Sequence, residues 1–430
     1  MLTAPRTRLS ATAYAAVLLT LGTSSLNAHA TNGYFSHGYG VKAEGMAGVG
    51  IALPQDGLTA ATNPAGTAFT GDRLDVGLNV FNPSRSTDIR GNDLSSYGST
   101  SLDGHDSGDG RRYFFIPEFG YTRQLSDAWS LGVAVYGNGG MNTQYNHNPF
   151  AALGGQGKAG VNLEQLFLSP SLAYKITANH VVGVALNLAY QRFSAQGIQP
   201  FASASSSATD LSNRGTDTST GIGARIGWIG QLTPDLRLGA TWSSAISGKF
   251  DKYKGLFADH GSFDIPANYG VGAAYQPAQD WTIALDYQVI QYSEVKSVGQ
   301  PLQNLTVYGQ PLGATNGPGF GWNDVRVVKL GVSHDIQPNL TLRAGYSHAS
   351  QAVPKDQTFF NILAPGVVQD HLTAGFTWKV DEHAEWSGHV THAFSKSVHG
   401  QSSIPDSFGG GEAQVRLKET IVGVSYGWKF

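Results

Sequence analysis

From residue 72 onward, apolar side chains return at every second position in stretches of about ten residues. In the last stretch Val422, Val424, Tyr426, Trp428 and Phe430 share one face, opposed by Gly423, Ser425, Gly427 and Lys429, with Ile421 as the exception. Leu74, Val76, Leu78 and Val80 oppose Asp75, Gly77 and Asn79 in the same way. The alternation recurs at Trp129, Leu131, Val133 and Val135, and again at Val182, Val184, Leu186, Leu188 and Tyr190. Leu340, Leu342, Ala344 and Tyr346 repeat it, as do Leu372, Ala374, Phe376 and Trp378. A period of two is the signature of a strand. The final stretch adds an aromatic end to its apolar face and small or polar residues opposite, which is the pattern of a strand with lipid outside and a lumen inside.

The segments between these stretches come in two sizes. Short polar turns fall at 125–129, 177–180, 233–235, 277–281, 337–339 and 381–384. Longer segments rich in Gly, Ser, Asn and Pro fall near 83–111, 142–160, 195–217, 252–262, 297–322, 351–369 and 400–411. Six short turns and seven long loops join fourteen strands, with both ends on the short-turn side. Short turns at one rim and long loops at the other are the asymmetry of outer-membrane barrels, and about ten tilted residues suffice to cross the bilayer. The reading is an all-β, transmembrane antiparallel barrel of about fourteen strands over 72–430.

This parse leaves residues 31–71 outside the wall. They include "GVKAEGMAGVGIALPQDGLTAATNPAG" (40–66), which is too broken by Gly and Pro for a helix and does not alternate. Fourteen strands enclose a lumen wider than their own side chains fill. Residues 31–71 are therefore expected inside it, as a plug. Composition agrees with a membrane barrel: charged residues are 14% and Gly numbers 55 of 430, against a usual charged share of about 25%. No run of 18 apolar residues is present, so no spanning helix is expected. There is no Cys and hence no disulfide support, and a net charge of −3 gives no case for nucleic acid. Residues 1–30 read as a signal peptide: Arg6 and Arg8, an apolar core over 11–22, and Ala28-His29-Ala30 as the cleavage site before Thr31. Export and barrel together point to the outer membrane of a Gram-negative bacterium, with outer-membrane lipid and lipopolysaccharide as surroundings.

The ordered series "GYFSHGYGVKAEGMAGVG" (33–50) and "DGLTAATNPAG" (56–66) resembles the N-terminal hatch of the long-chain fatty acid transporter (FadL-type) outer-membrane proteins. The stretches at 117–145, 265–288, 321–348 and 353–366, and the aromatic C-terminus, resemble that family as well. The resemblance implies a monomeric barrel that takes up hydrophobic small molecules, long-chain fatty acids first among them, without a cofactor. It implies capture at the outer loops, a site near the hatch N-terminus, and sideways exit through a kink in the third strand. Asn63, Pro64 and Ala65 match the element that closes the hatch, so they are the expected gate, filling the kink from inside. Some relatives carry aromatic hydrocarbons, which leaves an alkane or aromatic hydrocarbon as the alternative cargo. A general diffusion porin is the alternative of another class, and a plug at 31–71 discriminates against it.

Individual residues carry two readings each. Gly137, Gly139 and Gly140 in "YGNGGM" (136–141) interrupt the third strand. They mark either the lateral-exit kink or an ordinary strand end. Tyr34 and Phe35 at the plug tip either touch ligand or pack on the wall. By parity Glu118, Arg225, Asp286, Lys329, Arg343 and Lys429 face inward. Either one of the basic residues meets a ligand carboxylate, or they pair with one another or anchor the plug. The apolar loop segments 148–155 and 359–366 either capture cargo or form a lid. His383, His389, His392 and His399 fall on both faces of a strand, so no metal site is expected. No G-x-S-x-G elbow occurs, and no enzyme is expected.

Overall fold

The computed structural model describes residues 32–430; the signal peptide expected over 1–30 lies outside the described residues. The wall begins with β1 (Arg73–Arg90), and a short strand β2 (Gly104–Ser107) follows in the first outer loop. The wall continues through β3 (Phe114–Gln124), β4 (Trp129–Asn142), β5 (Gly160–Lys175), β6 (His180–Gln196) and β7 (Asp217–Thr233). Next come β8 (Leu236–Ser243), β9 (Asn268–Ala278), β10 (Trp281–Ile290) and β11 (Val325–Gln337). The last are β12 (Leu340–Ala349), β13 (Asp370–Lys379), β14 (Ala384–His399) and β15 (Glu412–Lys429). Each wall strand pairs antiparallel with its chain neighbour, and β15 pairs with β1 to close the cylinder. The fourteen expected wall strands are present among the described residues. β2 is an extra strand alongside the outer end of β1, with Ser86 opposite Ser107.

Alternation does what the sequence pattern requires. Val422 is 53% exposed on the lipid face, whereas its neighbour Ile421 is fully buried. Ile421 is no defect in the pattern: it packs inward with Phe81, Phe114 and Ile116. Trp129, Trp281, Trp378, Trp386 and Trp428 stand exposed near the short-turn rim. There Trp129 meets Tyr174 at 4.6 Å and Trp386 meets Tyr426 at 5.0 Å between ring centroids. Apolar bodies with polar tips suit the headgroup level, so these rings form one girdle.

The outer loops begin later than the sequence suggests. Residues 83–90 read as loop from their Pro, Ser and Asn, yet they belong to β1 and pair with 412–419 of β15. Partner strands of equal length extend the ladder beyond the height that lipid demands, and local composition does not show a partner that distant in sequence. Above the ladder the loops fold inward around buried rings, including Phe150, Phe201 and Phe359 in mutual edge contact.

Candidate functional site

Residues 32–72 line the inside of the barrel as an almost wholly buried plug. Its local order is minimal: one helical turn, α1 (Val41–Glu44), and two tight turns, Gly57–Ala61 and Pro64–Ala68. Each tight turn is capped by the residue before it. Asp56 Oδ1 accepts from Leu58 N at 3.0 Å, and Asn63 Oδ1 accepts from Ala65 N at 3.1 Å. Pro64 at the first position needs no N–H partner and presets φ for the turn.

What the plug lacks in secondary structure the wall supplies as side-chain partners. Asp286 Oδ2 accepts from Gly50 N and Ile51 N at 2.8 and 3.1 Å. Glu118 Oε1 accepts from Val41 N at 3.1 Å, and Thr373 Oγ1 from Ala47 N at 2.9 Å. Lys329 Nζ donates to His37 O at 2.8 Å, and Arg225 Nη1 to Thr62 O at 2.9 Å. Lys42 of the plug pairs with Glu385 at 2.5 Å, which also takes Arg73 at 2.7 Å; Arg73 in turn holds Asp75. His389 pairs with Glu44 of the plug at 3.0 Å. Burial holds the His37 imidazole down at about 3; Glu44 opposes the shift, while His371, His389 and Lys329 add to it. The bonds to plug N–H and C=O groups satisfy backbone that has no ladder of its own.

The third wall strand, β4, is where the wall itself is incomplete. β3 and β4 pair from Gln124 opposite Ser130 only as far as Phe119 opposite Val135. Beyond that point Phe114–Glu118 stay with β1, and 136–142 stay with β5. The β4–β5 register shifts between Gly137 and Gly139, which leaves Asn138 bulged. The plug tip occupies the open edge. Phe35 bridges Gly139, Ser36 N donates to Asn138 O at 3.0 Å, and Gly140 N donates to Tyr34 O at 2.8 Å. A Cβ at Gly139 would overlap the Tyr34 carbonyl oxygen, so only glycine lets the two backbones meet here. Behind this contact the Tyr292 hydroxyl accepts from Tyr34 N and Phe35 N, both at 3.1 Å, and donates to Asn32 O at 2.5 Å.

Two apolar spaces lie above the plug. One is beside its tip, lined by Gly33, Phe81, Met141, Trp322 and Leu417 together with Arg85, Asn142 and Glu419. The other lies among the outer loops, between Phe193, Phe201, Phe257, Phe320, Phe360 and Leu363. A plugged lumen with apolar spaces at the loops and at the plug tip is the build of a selective channel for greasy molecules. The family model for outer membrane protein transport proteins (OMPP1/FadL/TodX) matches residues 25–430. The chain belongs to this family. A long-chain fatty acid transport protein of Escherichia coli is 23% identical over 307 residues, 63% of this chain and 67% of that protein. A solved FadL homologue from Pseudomonas aeruginosa matches in fold with a TM-score of 0.72 at 16% identity, over 93% of this chain and 100% of that chain. The P. putida toluene transporter TodX matches with a TM-score of 0.63 at 18% identity, over 92% of this chain and 99% of that chain. As a FadL/TodX barrel, the protein is a Gram-negative outer-membrane transporter of hydrophobic molecules and not an enzyme. A general diffusion porin is thereby set aside.

Within this FadL/TodX barrel the expected site residues separate into two places. Tyr34, Phe35, Gly139 and Gly140 come together at the β3–β4 seam, with Gly137 at its start. Asn63, Pro64 and Ala65 do not fill the seam, and that expectation is corrected. Asn63 Nδ2 donates to Ile51 O and Trp228 O at 2.8 and 3.1 Å, and Pro64-Ala65 lie against Gly183 of β6. The turn is seated on β6 and β7, and Thr67 beyond it lies against Gly132 of β4, nearer the short-turn rim. Plug residues 34–36 precede it by some thirty positions and take the seam through Tyr34 O and Ser36 N. Sequence reading missed Tyr292, Trp322, Asn138, Arg85 and Glu419. The one available signal was Trp322, a large apolar ring within a Gly- and Pro-rich loop segment.

Proposed function

We propose that the protein, acting as a monomer, captures a hydrophobic small molecule among its outer loops and passes it to the space at the plug tip. The molecule is then released sideways into the membrane between β3 and β4. The observation that carries this reading is the seam: Phe114–Glu118 of β3 are not paired with β4, and plug residues 34–36 bond the β4 edge at Asn138–Gly140 in place of a strand. Withdrawing a short backbone bridge opens such a seam, whereas a ladder would have to be torn. Two cargo readings follow. The E. coli relative's name supports long-chain fatty acids. The tip space favours a neutral molecule, because its cation, Arg85, is already engaged by Asp109, Asn142 and the Arg111 carbonyl.

Deleting Asn138 removes the bulge and lets β4 run straight past the tip. Uptake of radiolabelled oleate and toluene by cells carrying the protein should then fall to the level of cells without it. The barrel should keep its heat-modifiable migration on gels. Undiminished uptake through a well-folded deletion variant would falsify lateral exit at this seam.

A further inference from the structure

The space at the plug tip contains a carboxyl group that the protein leaves without a hydrogen-bond partner. Glu419 stands on the inner face of β15, opposite Pro83 of β1, and is 1% exposed. Neither of its carboxylate oxygens has a hydrogen-bond donor among the described residues. Every other inward carboxylate named above is matched: Asp75 and Glu385 by Arg73, Asp286 and Glu118 by plug N–H groups, Glu44 by His389. Arg85, which lines the same space and acts on Glu419 electrostatically, is committed elsewhere. Its Nη1 donates to Asn142 O at 2.7 Å and Asn142 Oδ1 at 3.1 Å, its Nη2 donates to Arg111 O, and Nε faces Asp109 Oδ1 at 3.5 Å. The cluster of Arg85, Asp109 and Glu419 therefore holds one more negative than positive charge when ionised. A second carboxylate entering it meets repulsion. In either protonation state Glu419 keeps an acceptor oxygen, so a ligand bringing an O–H donor removes the cost of an unmet buried group.

We propose that this space selects hydrophobic molecules bearing a hydroxyl, an alcohol or a phenol. The hydroxyl donates to the Glu419 carboxylate, and the apolar body lies against Phe81, Met141, Trp322 and Leu417. The inference rests on the reading that the tip space is on the transport path, and it narrows the cargo within that reading. A hydrogen bond that meets an otherwise unsatisfied buried acceptor separates a hydroxylated ligand from its bare hydrocarbon by about tenfold or more in affinity.

The test is equilibrium binding to the purified full-length barrel, followed by tryptophan fluorescence because Trp322 lines the space. The probes are p-cresol, toluene and 4-methylbenzoate. Wild-type protein should bind p-cresol about tenfold tighter than toluene, with 4-methylbenzoate weakest. Glu419→Leu should bring p-cresol to the affinity of toluene and leave toluene unchanged, while Glu419→Gln, which keeps an acceptor oxygen, should retain most of the preference. Heat-modifiable migration confirms that each variant is folded. Equal affinities for p-cresol and toluene in the wild type overturn the proposal. So do tightest binding of 4-methylbenzoate, a preference that survives Glu419→Leu, or no response to any probe. The path reading fails separately: a cresol preference that depends on Glu419, alongside undiminished toluene uptake after Asn138 deletion, leaves the hydroxyl site standing and removes it from the route.

Discussion

Between β15 and β1 the ladder runs unbroken through eighteen residue pairs, from Arg73 opposite Lys429 to Arg90 opposite Glu412. Between β3 and β4 it runs through six, from Gln124 opposite Ser130 to Phe119 opposite Val135. Both junctions sit in one barrel, where an open strand edge facing lipid is costly. The β4 edge is met by the plug, through Tyr34 O and Ser36 N. The β3 edge is blunted by its own sequence, because Pro117 has no N–H to leave unpaired. A junction made of eighteen pairs has no low-energy open state. A junction closed by two backbone hydrogen bonds from a separate segment is the easier of the two to part, which is what the proposed lateral exit requires.

Proline scanning separates the two junctions with the largest effect. Val422 lies opposite Val80 on one side and Val390 on the other, so its N–H serves a ladder whichever way it points. Val422→Pro should cost about 3 kcal/mol or more and prevent closure of the barrel, seen as loss of heat-modifiable migration. Phe115 is paired on its β1 side only. Backbone N–H groups alternate in direction along a strand, so Phe115 shares the orientation of Pro117, two residues on. Phe115→Pro should therefore leave the barrel assembled. Loss of assembly in both variants would mean that β3 is held on both sides.

The first junction was legible in the sequence and the second was not. A lipid-facing strand must show apolar residues at every second position whatever its partner, so the wall, its turns and its closure follow from the pattern at 74–80 and 422–430. Parity likewise placed Glu118, Arg225, Asp286 and Lys329 on the inner face, where they are buried. It did not reveal that their partners are plug backbone, because Gly50, Ile51 and Thr62 carry no side-chain signal of being hydrogen-bonded. Gly137, Gly139 and Gly140 announced an irregular strand, but which segment meets it depends on the path of a plug with almost no secondary structure. Tyr292 and Glu419 are more than a hundred residues from the tip in sequence, and nothing local distinguishes them from other strand-end or inward residues.

The next effect acts on the seam and spares the wall. Gly139→Val puts side-chain atoms where the Tyr34 carbonyl oxygen sits and forces the tip out of the edge. The barrel should assemble, since β4 keeps its pairing with β5 on either side. Ion conductance in planar bilayers should rise above the wild-type level. Gly104→Ala is the control, because a Cβ there meets nothing within 4 Å. Conductance equal to that of the control would mean that the tip is not what keeps the lumen closed at this point.

The smallest effect isolates the hydrogen bonds that hold the tip from the ring contacts that surround it. Tyr292→Phe keeps the ring against Tyr34 and Trp322, at centroid distances of 5.0 and 5.1 Å, and removes only the hydroxyl. Without it Tyr34 N loses the hydroxyl as its acceptor, Phe35 N loses the shorter of its contacts and retains the one to Asn32 O at 3.4 Å, and Asn32 O loses the hydroxyl as a donor. Leaving such groups unmet in a dry site costs about 1–3 kcal/mol. That cost falls on the docked tip and not on the ladder. Hydrogen exchange of Tyr34–Ser36 amides should accelerate by about tenfold or more while the amides of β15 exchange as before. If the β15 amides accelerate equally, the tip and the wall open as one unit, and the seam is no easier to part than the junction of eighteen pairs. If neither changes, the tip is held by its rings, and the two backbone bonds to β4 are a consequence of its position and not the latch.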